Sequence, residues 1–77
     1  MSTNPLPPDP EKMNDRRAQS AGEALKAFML NTGTDEEDAL ADLLTNLRHW
    51  ADRSAYDFEN EQARADRNYA EETTDEH

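Results

Sequence analysis

The chain has 77 residues, of which 18 are Asp or Glu and 8 are Lys or Arg, giving a formal net charge of −10 at neutral pH. It contains no cysteine, no valine and no isoleucine. That composition excludes a disulfide framework, a thiol nucleophile and a cysteine-based metal site, argues against a sheet protein, and disfavours direct binding to a nucleic-acid backbone, which calls for a basic surface.

Leu, Ile, Val and Phe together supply only 9 of the 77 residues, well under the roughly 20% below which a charged chain tends to stay disordered. The apolar residues are nevertheless clustered, and they recur at helical spacing. The middle of the chain is therefore expected to fold as one small helical domain over residues 13–72. A flexible proline-rich arm over 1–12 and a disordered acidic tail over 73–77 are expected to flank it.

All four prolines lie in Asn4-Pro5-Leu6-Pro7-Pro8-Asp9-Pro10. Proline lacks the helix donor and forces extended geometry on the residue before it. The segment has neither a basic start nor an apolar stretch, so it does not read as a signal peptide. The first helix is expected from about Asp15 to Leu30, with an earlier start offered by the capping acid and proline of Asp9-Pro10-Glu11. Ala18, Ala21, Leu25 and Phe28 fall on one face, and Met29 widens it. Gly22 interrupts this helix, and the simplest expectation is that it admits the close approach of another helix. Ala27 to Leu30 is the longest apolar run, far short of the roughly 20 residues needed to span a bilayer.

Asn31-Thr32-Gly33 closes the first helix, because glycine takes the left-handed conformation of a C-terminal cap. Thr34-Asp35-Glu36-Glu37 has the form of a capping box, with Thr34 as N-cap and Glu37 reaching back to it. Asp35, Glu36, Glu37 and Asp38 also lie at the positive end of the helix dipole. The second helix is expected from Asp35 to about Arg53. Its stripe of Leu40, Leu43, Leu44, Leu47, Trp50 and Ala51 is the best formed in the chain and is expected to centre the core. Ser54-Ala55-Tyr56-Asp57 is a turn, with Asp57 capping a third helix from Phe58 to about Glu71. There Phe58, Ala65 and Tyr69 share a thin apolar face around Gln62.

The large core candidates are then Leu25, Phe28, Leu40, Leu43, Leu44, Leu47, Trp50, Phe58 and Tyr69. So few large side chains leave a lone copy marginal and favour self-association or a partner. The fold class expected is all-α: an antiparallel helical hairpin with a shorter third helix across it.

Charge is unevenly placed. Residues 1–30 are balanced, with four acids and four bases, whereas residues 31–77 hold 14 acids and four bases and carry the whole net charge. Asp35, Asp38 and Asp42 recur on one helical face. A solvated face that keeps the chain soluble explains this pattern. A surface that docks on a basic partner explains it as well, since rows of helical carboxylates can imitate the phosphates of a nucleic acid. Asp35, Glu36, Asp38, Asp42, Glu59 and Asp66 are the candidate contact acids.

Reactive constellations are thin. His49 has only Asp52 and Arg53 one turn away, which is ordinary surface chemistry. Trp50 and Tyr69 are expected in the core, while Tyr56, in a turn, is a candidate exposed anchor. Arg64 and Arg67 are expected to pair with neighbouring acids. Asp35, Asp38 and Asp42 facing Glu59 or Asp66 could hold Mg²⁺, as in all-α nucleotide pyrophosphohydrolases, but that chemistry needs inward-facing acids. Here the acids flank apolar residues that claim the interior. There is no calcium loop, phosphate-binding glycine loop or nucleophile elbow. No catalytic residue, metal or cofactor is expected, and the chain does not read as an enzyme.

One block of the sequence resembles a known family. Ala24-Leu25 through Phe28, Thr32-Gly33-Thr34-Asp35, Glu37-Asp38-Ala39-Leu40, Asp42-Leu43-Leu44, Leu47 with His49-Trp50 and Asp52-Arg53, Asp57-Phe58, Ala63-Arg64-Ala65 and Tyr69-Ala70-Glu71-Glu72 resemble small uncharacterised acidic helical proteins of proteobacterial plasmids, prophages and integrative elements. The resemblance covers about residues 16–73. That family often has a cysteine after the His-Trp pair, where this chain has Ala51. It has no assigned activity and so implies no catalytic residues. What it implies is a cytoplasmic bacterial setting on a mobile element.

These readings converge on an expected function. The chain is a non-enzymatic acidic protein that inhibits a host defence or nucleic-acid-processing protein by occupying its basic surface, an anti-restriction or anti-CRISPR type of nucleic-acid mimic. The alternative is a small helical adaptor or transcriptional regulator that acts through an apolar face, as a homodimer. Neither reading involves direct nucleic-acid contact or a membrane.

Overall fold

The computed structural model describes residues 6–74, and over that span the chain is all-α. The helices are α1, Met13–Thr32, α2, Glu36–Asp52, and α3, Phe58–Thr73. The outer parts of the expected arm and tail, residues 1–5 and 75–77, lie outside the described residues.

Each helix start is set by an aspartate, though not always the expected way. Asp9 closes a turn by accepting the Lys12 N–H on its carbonyl at 3.2 Å. Its two carboxylate oxygens then accept the N–H groups of Asn14 and Asp15, each at 3.1 Å. These are orphan donors of the first turn of α1, so the inner end of the arm is tied to the helix it precedes. Pro10 sits in that turn rather than at the first helical position. Lys12 adopts a left-handed conformation, with φ 61°, and the helix begins at Met13. Replacing Asp9 with alanine is expected to cost about 1 kcal/mol and to fray the first turn of α1, as read by urea unfolding and by amide exchange at Asn14 and Asp15.

The N-cap of α2 is Asp35, one residue later than expected. Its carboxylate accepts the Asp38 N–H at 3.3 Å. Thr34 does not cap, because its hydroxyl is bonded to that of Thr32 at 2.9 Å. Asp57 caps α3 as expected, accepting the Asn60 N–H at 3.2 Å. Gly33 ends α1 with φ 76° and donates its N–H to the Met29 carbonyl at 2.8 Å, the left-handed closure its sequence position implies.

The helices meet near their ends and leave the middle open. Next to the α1–α2 turn, Leu25, Phe28 and Met29 are half-buried, as is Leu43 of α2, and Ala39 is fully buried. Further from that turn, Ala18 and Ala21 of α1 are exposed. At the other end of α2, Ala51 is buried and Phe58 half-buried. There the Arg48 guanidinium lies 5.3 Å from the Phe58 ring centre and pairs with Glu59 at 2.7 Å. The third corner joins the start of α1 to the end of α3. Asn14 donates to the Glu72 carbonyl at 2.8 Å, and Arg17 pairs with the Glu72 carboxylate at 3.4 Å. The result is a flat triangle of helices, 42 × 28 × 19 Å, with a radius of gyration of 14.6 Å. A compact chain of this length would have a radius of about 11–12 Å.

This geometry corrects the expected core. Among the described residues Ala39 and Ala51 are the buried apolar ones, and Leu40, Leu44, Leu47, Trp50 and Tyr69 are 61%, 46%, 42%, 54% and 62% exposed. The apolar stripe of α2 forms as its spacing dictates, but splayed helices bring too little surface against it. Trp50 instead stacks on Tyr56, ring centres 5.1 Å apart and tilted by 36°. Gly22 is a second correction. A Cβ built there meets nothing within 4 Å, so no helix approaches it and its lack of a side chain only weakens α1. Gly22→Ala is expected to stabilise the chain by about 1 kcal/mol, read as a higher denaturation midpoint with an unchanged m-value.

Candidate functional site

Around α2, residues advance about 100° per step, and this separates two surfaces. Leu40, Leu44 and Leu47 form one ridge. Asp38 and Asp42 lie about half a turn away, on the opposite side, and the capping Asp35 falls beside them. A partner seated on the leucines would not touch these aspartates, and a partner on the aspartates would not touch the leucines.

All six candidate contact acids are exposed, but they differ in how free they are. Asp35 has one carboxylate oxygen engaged as the α2 cap. Glu59 is committed to Arg48 and belongs to the α2–α3 corner. Asp66 accepts from the Gln62 amide at 3.2 Å. Glu36, Asp38 and Asp42 carry neither an ion pair nor a side-chain hydrogen bond among the described residues. The unpaired charge therefore concentrates on α2, with Asp38 and Asp42 one turn apart on the same face.

Arg64 pairs with Glu61 at 3.2 Å, as its spacing implies. Such exposed pairs contribute little to stability, on the order of 0–1 kcal/mol. Arg53 donates to the His49 backbone carbonyl at 3.0 Å. No hydrogen bond joins the His49 ring to Asp52 among the described residues. The same residues contain no group of three or more His, Asp or Glu side chains placed to hold a metal ion, and no helix long and apolar enough to cross a membrane.

One concave region was not foreseen from the sequence. A cavity of about 360 Å³ lies at the α1–α3 corner, lined by Leu6, Pro7, Asp9, Ala18, Tyr69 and Glu72 among others. Asp9 is engaged there with the α1 backbone and Glu72 with Arg17, whereas the Asp15 side chain, also in the lining, has no hydrogen bond or ion pair among the described residues. The cavity exists because the arm turns back against α1 and α3. The proline content of the arm signals extended chain, but nothing in it signals where that chain lies. No family model, no curated protein and no solved structure matches this chain.

Proposed function

We propose that the chain is an acidic binding protein without catalytic activity, which occupies a basic surface on a host defence or nucleic-acid-processing protein and so denies that surface to nucleic acid. Its setting is the bacterial cytoplasm and its carrier a mobile genetic element, an anti-restriction or anti-CRISPR type of role. The observation that supports this reading is the pair of exposed, unpaired aspartates, Asp38 and Asp42, held on one face of a well-capped helix. Among the described residues no base pairs with either one. A partner's lysines and arginines would relieve the mutual repulsion of such carboxylates and speed encounter.

The test is competition. The protein captured from a host lysate at low salt is offered labelled duplex DNA or RNA, with and without this chain. Displacement of the nucleic acid is the expected result. A captured protein that binds nucleic acid and this chain at the same time would contradict the reading. A second reading, an adaptor or transcriptional regulator docking through an apolar face, draws on the exposed leucines of α2. It predicts capture that tolerates salt and fails when those leucines are made charged.

A further inference from the structure

We infer that the α1–α3 corner is a polar clasp that opens and closes in solution, with α3 swinging as a hinged arm about Phe58. The inference rests on that corner and not on the acidic face of α2, so it stands or falls independently of the proposed function.

The three corners are held by different chemistry. Ala39 is fully buried at the α1–α2 corner, and Ala51 is buried with Phe58 half-buried at the α2–α3 corner. The α1–α3 corner has no buried side chain among the described residues, and its aromatic residue, Tyr69, is 62% exposed. Among those residues one hydrogen bond and one ion pair join α1 to α3. Both use Glu72. Its carbonyl accepts from the Asn14 amide at 2.8 Å, and its carboxylate lies 3.4 Å from Arg17 Nε. Arg17 in turn donates to the Asn14 side-chain oxygen at 2.7 Å. The arm supports this network, because Asp9 accepts the Asn14 backbone N–H and fixes the turn from which Asn14 reaches.

Such a clasp is weak. Both partners of the ion pair reach water, with side chains 47% and 34% exposed. An exposed pair biases an equilibrium by about fivefold at most, and a single exposed hydrogen bond adds a factor of similar size. Charge works against closure. Asp9, Asp15 and Glu72 line one cavity at this corner, and Arg17 is the one base in that lining. Like carboxylates drawn together repel, so the closed form depends on Arg17 and outweighs the open one by only about tenfold.

The far end of α3 is free to move, and its near end is not. Arg48 pairs with Glu59 and lies over the Phe58 ring, which holds the start of α3 on α2. The helix has 16 residues and is about 24 Å long, so a pivot of about 20° at Phe58 carries its far end about 8 Å. Opening separates Glu72 from Asp9 and Asp15 and dissolves the cavity that they frame.

The chain has no cysteine, so Ser20→Cys with Asn68→Cys places spin labels on exposed sites of α1 and α3 alone. Double electron–electron resonance on the full chain then reads the distance between the two helices. The otherwise wild-type chain is expected to show a dominant short distance and a longer one in about a tenth of the molecules. Arg17→Glu is expected to raise the longer population to about half, with helix content by circular dichroism unchanged. Arg17→Glu with Glu72→Arg, which restores an opposite-charge pair, is expected to return the balance toward closed. Arg64→Glu, which changes the net charge equally but removes a pair internal to α3, is expected to leave it unmoved. A single narrow distance in the otherwise wild-type chain would overturn the inference, and this measurement decides even where a variant fails to fold. An Arg17→Glu chain that keeps its helices and the original balance would overturn it too, as would a swapped pair that stays open or an Arg64→Glu chain that opens.

Discussion

Replacing Ala39 with aspartate is expected to destroy the α1–α2 contact and, with it, most of the helical signal of the chain. Ala39 is fully buried and lies on the side of α2 that also carries Leu43, beside the half-buried Leu25, Phe28 and Met29 of α1. No base stands near enough in sequence on that side to neutralise a new carboxylate. An unpaired charge placed there costs on the order of 3–5 kcal/mol, most or all of the stability of a domain this small. Ala41→Asp supplies the control. Ala41 is exposed on the same helix, and the change there is expected to stay near 0.5 kcal/mol. Urea titration followed by circular dichroism separates the two. Equal and small effects at both positions would mean that the α1–α2 contact does not hold the chain together.

The second large effect is expected at the aspartates. Asp38→Lys with Asp42→Lys moves the formal net charge from −10 to −6 and places two cations where a basic partner's own cations would sit. Like charges brought together at an interface cost several kcal/mol, so affinity for that partner is expected to fall by about 100-fold or more. Both side chains are exposed, and neither makes a bond that the fold uses. The cost to folding is confined to the lost dipole interaction in the first turns of α2, about 0.5 kcal/mol. Binding and helix content should therefore separate cleanly, one lost and the other kept. Calorimetric titration of the captured partner with wild type and variant checks this.

Some of this molecule can be read directly from its residues. Asp57 before Phe58 and Gly33 after Thr32 mark helix ends by local chemistry that needs no partner element, and both behave as that chemistry requires. The three helices follow for the same reason, from periodic apolar residues bounded by caps. The N-cap of α2 was displaced by one residue because Asp35 and Thr34 compete for the same role. The hydroxyl of Thr34 is then captured by Thr32, a contact that exists only once α1 has ended.

Burial was far less legible. Spacing shows that Leu40, Leu44 and Leu47 share a face, but it does not show whether another face arrives to cover them. That depends on the angle between helices, which here is set at three corners by Ala39, by Arg48 with Phe58, and by Asn14 and Arg17 with Glu72. Contacts spanning 58 residues, such as Asn14 to Glu72, leave no periodic trace. The candidate acids divide along the same line. Asp38 and Asp42 stand outward because local helix geometry places them opposite the leucines. Glu59 is drawn into the α2–α3 corner by Arg48, 11 residues earlier.

The reading of function depends on carboxylates that face outward and recognise a basic surface. Affinity capture from a host lysate at about 50 mM and about 500 mM salt tests it most directly, because screening shortens the reach of exposed charges severalfold between those conditions. The wild-type chain is expected to retain its partner at the lower salt and release it at the higher, and the Asp38→Lys, Asp42→Lys chain to retain nothing at either. A partner that stays bound to both chains at high salt, and is lost only on Leu44→Glu, would contradict the account.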